Sequence, residues 1–116
     1  MKVRTDFVTN SSSSSFVIAR SLSCTKDEIL TVLRGMKDKI KHCLKEYRRE
    51  SSDIAVEEFA QGLTSWLISL PVNLQLEGWN LSTTTCDHEN GPYEFFMYEY
   101  GTDIQTINFK IGSEYV

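Results

Sequence analysis

The side chains able to do chemistry in this 116-residue chain are few and scattered. Cys24, Cys43 and Cys86 are its thiols, and His42 and His88 its only imidazoles. His42 adjoins Cys43 and one residue separates Cys86 from His88, enough soft ligands for one tetrahedral zinc, but there is no C-x-x-C pair and the spacing fits no finger or knuckle. Cysteines that are odd in number and widely spaced argue against a disulfide framework and for a reducing, cytoplasmic setting. Glu94 with Glu99, and Asp87 with Glu89, have the type for acid–base work, but acids in strands and turns are usually solvated and no cofactor motif falls beside them. The expectation is no metal site, no cofactor and no catalytic residue.

A different chemistry is written in the cations. Arg34, Lys37, Lys41, Lys45 and Arg48 recur at steps of three and four, which on a helix gathers them into an acid-free sector of about 80°. Such a ridge has the form of a phosphate track on a nucleic-acid-binding protein. The charge balance weighs against that use. Residues 1–50 carry eleven Lys/Arg against six Asp/Glu, whereas residues 51–116 carry one against ten, so the second half can neutralise the first. With a formal net charge of −4, a solvated or internally neutralised helix flank is expected, and a nucleic-acid-associated accessory protein is the alternative.

The elements that must position these groups follow from periodicity. Thr25 and Glu28 form a capping box at the start of one long amphipathic helix over residues 25–49. Its stripe of Ile29, Leu33, Met36, Ile40, Cys43 and Tyr47 must be buried, with Gly35 in its interior costing about 1 kcal/mol relative to Ala and read as a close packing point. A second helix over residues 53–70 starts at "SSD", stops at Pro71 and packs antiparallel to the first. "LQLEGWNLSTTTC" reads as a strand, the Asn90-Gly91 pair as a turn, "YEFFMYEY" as an aromatic strand, and "IQTINFKI" as a strand in which Ile107, Phe109 and Ile111 alternate with polar residues. The expected fold is a single α+β domain over residues 1–116: two antiparallel helices on a mostly antiparallel sheet, in the order β-(β)-α-α-β-β-β. Its parts are a β-prone segment over 1–20, a two-helix unit over 25–70 and a meander over 72–113.

Five serines lie between two β-prone segments, and Asn10, Ser11, Ser12, Ser13, Ser14 and Ser15 read as a polar loop that satisfies its own backbone through local turns. A phosphate nest there is disfavoured by the lack of a glycine or a Walker-type lysine, and a serine nucleophile by the lack of G-x-S-x-G. The string "RTDFVTNSSSSSFVI" over residues 4–18 resembles the N-terminal segment of many otherwise dissimilar, small, uncharacterised proteins of bacteria and their phages. The resemblance implies a bacterial or phage-related cytoplasmic origin and carries no activity.

The aromatic strand then supplies the leading functional expectation. With Phe96, Tyr98 and Tyr100 on its outer face, it presents an apolar surface that the two helices do not cover. A homodimer or a protein-binding surface follows, and the chain reads as a non-enzymatic, self-associating interaction module. No apolar run follows Lys2 and Arg4 as in a signal peptide, and "LTSWLISLPV" is too short to span a bilayer, so no membrane partner is expected.

Overall fold

A computed structural model of the protein describes residues 13–114. Its elements are β1 (Ser13–Ser21), α1 (Lys26–Arg34), α2 (Lys37–Glu46), α3 (Asp53–Ser69), β2 (Leu74–Leu76), β3 (Trp79–Asp87), α4 (Pro92–Tyr100), a 3-10 turn (Gly101–Asp103) and β4 (Phe109–Glu114). The class is α+β, and the four strands form one antiparallel sheet in the order β2-β3-β1-β4.

The helical half keeps its expected stripe but not its expected continuity. Ile29, Leu33, Met36, Ile40 and Cys43 are buried, and the Thr25–Glu28 capping box forms. The single helix over 25–49 is instead two, because Gly35 caps α1 and Met36 leaves the helical region before Lys37 restarts the coil. α2 ends at Glu46 in a Schellman turn: Arg49 N donates to Leu44 O (2.8 Å) and Arg48 N to Lys45 O (2.9 Å), with Arg48 at φ 54° where glycine is usual. Ser52 caps α3, which runs back along α1, so that Arg34 at the end of α1 meets Glu57 near the start of α3.

Three readings in the second half are corrected. "LQLEGW" is a hairpin, not part of one strand, because Glu77 (φ 47°) and Gly78 (φ 87°) make the two-residue turn with both φ positive that right-twisted strands favour. "YEFFMYEY" is the helix α4. Gly91 (φ 113°) and Pro92 at its first position start it, and Glu94 in the first turn accepts from Asp87 N and Asn90 Nδ2. The third correction falls at "IQTINFKI", where only Phe109 onward is strand. Ile107 sits in the turn closed by Thr106 and Phe109 and is 82% exposed. Over the described residues the order is therefore β-α-α-α-β-β-α-β, and the strand expected before the serines lies outside them.

The two faces of the sheet differ. Phe16, Ile18 and Arg20 of β1, Ser82 and Cys86 of β3, and Phe109 and Ile111 of β4 are buried, while the residues between them are not. α4 packs on β3 on the buried side, and Gly101 fits between Met97 and Phe16. Glu28 ties α1 to the turn before β4. Burial works against its charge, but hydrogen bonds from Thr106, Asn108 and Thr25 prevail and hold its carboxyl below the usual range.

Candidate functional site

The five ridge cations do not share one helix, since Arg34 ends α1 and the others belong to α2 and its cap. Three of them face acids of α3. Arg34 clasps Glu57 with two hydrogen bonds (3.0 and 2.7 Å), and Lys37 and Lys41 converge on Asp53 at 2.8 and 3.6 Å. The bidentate pair, reinforced by Gln61, pulls the Glu57 carboxyl down to about 2, and Lys37 chiefly lowers that of Asp53. The ridge is thus largely a clasp between α1–α2 and α3, and Lys45 and Arg48 stay exposed beside it.

Of the serine segment, Asn10, Ser11 and Ser12 lie outside the described residues. Ser13, Ser14 and Ser15 are not in a loop: they begin β1, an inner strand of the sheet, opposite Asp87, Cys86 and Thr85. The Ser15 hydroxyl lies 3.4 Å from that of Thr85, a cross-strand pair of the ordinary kind. Five hydroxyl residues in a row cannot reveal period-two alternation, which is why the strand was hidden.

The expected interface is also redistributed. On a helix, Phe96, Tyr98 and Tyr100 cannot form one strand face. Phe96 is fully buried against Phe59 (5.6 Å between rings), Tyr100 leans on Phe96 with Lys39 over its ring, and Tyr98 stacks edge-on to His88. Burial raises the Tyr100 phenol. The exposed aromatic face inferred from sequence therefore does not exist on α4.

The soft ligands are dispersed. Burial pushes the Cys43 and Cys86 thiols up to about 12, which makes them poor nucleophiles, and the half-buried Cys24 thiol is raised for the same reason. Cys43 Sγ donates to Pro92 O, while His88 Nε2 lies 2.8 Å from Glu99. Among the described residues there is no group of three or more His, Cys, Asp or Glu able to hold a metal, and no helix long and apolar enough to cross a membrane.

Two features have no counterpart in the sequence reading. The first is Arg20, only 9% exposed on the inner face of β1. Its guanidinium donates to Ile68 O, to Leu70 O (3.2 Å) and to Ser82 Oγ (3.0 Å), supplying a positive charge at the end of α3, which has no basic residue in its last turn. The second is the other side of the sheet. Directly opposed residues of antiparallel strands share a face, so the register aligns Leu74 with Leu81 and Ala19, Leu76 with Trp79, and Val17 with Thr83. Leu74 and Leu76 are 52% and 51% exposed, and Val17, Ala19, Trp79 and Leu81 are only half-buried. Alternation in "SFVIA" and "WNLST" was a readable signal for this face, but it needed the pairing partners to become a surface. No family model matches the chain, and neither a curated protein nor a solved structure matches it.

Proposed function

We propose that the protein is a non-enzymatic interaction module that self-associates through the open face of its sheet, in a two-layer architecture with its helices on one side only. The observation that carries this reading is the apolar strip of Leu74, Leu76, Trp79, Leu81, Ala19 and Val17, opposite the face that buries the core. The occupant is a second copy. An isologous contact sets the same patch against itself, which an uncharged strip tolerates and a charged one does not; among the described strand residues of this face the one cation is Lys110, opposite Ala19 on β4.

The dimensions agree with a modest dimer. Strands of nine residues are about 30 Å long, and the neighbouring strands widen the patch to about 14 Å. Two copies face to face then remove at most roughly 800 Å² from water, smaller than a standard stable interface and the scale of a weak, reversible dimer. Packing two sheets at about −30° is an established way to close such faces. Leu74→Lys together with Leu76→Lys places two ammonium groups in the contact without touching the core, and size-exclusion chromatography with light scattering should then report a monomer with unchanged circular dichroism. A monomeric parent protein whose Trp79 is nonetheless shielded from solvent quenchers would give the face another occupant and contradict self-association.

A further inference from the structure

A groove of about 780 Å³ opens on the helical side, between the end of α2, the length of α3 from Ala55 to Trp66 and the start of α4. We propose that it binds a small organic cation, with the ammonium group over an aromatic wall and among carboxylates. This goes beyond the self-association of the sheet face and uses none of its residues.

The wall is built and held by the chain itself. Tyr93 stands edge-on to Phe59 with 5.1 Å between rings, and lies 6.4 Å from Trp66 at 31°. Gly62 makes this possible, since a Cβ there would stand 1.8 Å from the Tyr93 hydroxyl oxygen. Tyr93 and Trp66 are half-buried, which leaves part of each ring facing the groove. Ring faces carry negative potential and attract cations, most strongly where water is partly excluded.

The charges point the same way. The lining contains Glu50, Glu58 and Glu94 against Arg49 alone, leaving two net negative charges on the groove. Glu94 is fixed by Asp87 N (2.8 Å) and Asn90 Nδ2 (3.0 Å), neutral donors that orient the carboxylate without cancelling its charge. Glu58 is exposed and has no hydrogen-bond or ion-pair partner among the described residues, so its charge is available to a ligand. The volume falls in the usual range for small-molecule sites. An anion would meet repulsion, and a neutral apolar molecule would gain nothing from the acids.

The test titrates the full chain, labelled with nitrogen-15, with choline chloride and separately with its neutral isostere 3,3-dimethylbutan-1-ol, at matched ionic strength. Choline should shift the Trp66 indole and Tyr93 amide resonances and bind about tenfold more tightly than the alcohol, the combined effect of cation–π and Coulomb attraction. Glu58→Gln should weaken choline about threefold and leave the alcohol unchanged. Tyr93→Leu should remove the Trp66 shift while the remaining spectrum stays native. Equal affinity for choline and the alcohol, or no shift at Trp66 and Tyr93 with choline at about 50 mM, would overturn the proposal.

Discussion

Replacing Arg20 by Met tests the largest single polar commitment of the core. The methionine fills a similar linear volume but removes all three donated hydrogen bonds, leaving Ile68 O, Leu70 O and Ser82 Oγ without their partner in a site that is 9% exposed. Each buried acceptor left unmet costs about 1–3 kcal/mol, and loss of a cation at the end of α3 adds up to about 1 kcal/mol. Against this, the guanidinium no longer has to be desolvated, and its Nε has no partner in the native state, so part of the loss is returned. The net expectation is a destabilisation of about 3 kcal/mol, or roughly 12 °C in Tm for a chain of this length. Urea denaturation followed by far-ultraviolet circular dichroism measures it. Ser82→Ala removes one of the three acceptors and should cost about 1 kcal/mol. Arg20→Lys keeps the charge but not the fork, and should recover about half of the loss. An Arg20→Met midpoint within about 0.5 kcal/mol of the parent would refute the claim that the guanidinium caps α3, because it would mean that desolvation cancels everything the three bonds supply.

Two further outcomes follow from local geometry. Glu57 titrates near 2 in the folded state against an ordinary value of 4.5, so its clasp with Arg34 contributes fully above about pH 4.5 and is lost as the pH falls toward 2; the fall in stability across that window, measured by urea titration, should flatten in Glu57→Gln. Arg48→Gly relieves a non-glycine residue at φ 54° in the Schellman turn and should raise stability by about 1 kcal/mol, seen as a higher urea midpoint at unchanged slope.

Sequence reasoning recovered what depends on neighbours along the chain. Thr25 and Glu28 set the start of α1, Ser52 and Asp53 that of α3, and the buried stripe from Ile29 to Cys43 survives the break at Gly35. It failed where local propensity and tertiary context disagree. Aromatic residues favour strands, so "YEFFMYEY" read as one, although Pro92 and Glu94 carried a helix start; packing three consecutive residues, Phe95, Phe96 and Met97, into the core blurred the period that would have exposed the helix. The sites were less legible still. The ridge acids Asp53 and Glu57 lie on a different helix from the cations they pair with, and the open sheet face joins residues 17–19 to residues 74–81 through a pairing that no local pattern encodes.

The central claim is that the uncovered sheet face joins two copies, and sedimentation velocity of the full chain from about 5 to about 500 μM tests it most directly, since reversible dimers of this contact area dissociate within that range. Self-association through this face gives a weight-average sedimentation coefficient that climbs from the monomer to the dimer value as concentration rises, and stays at the monomer value throughout for the Leu74→Lys, Leu76→Lys protein. A parent protein that remains monomeric at the highest concentration, or a dimer that the two lysines leave intact, would contradict it.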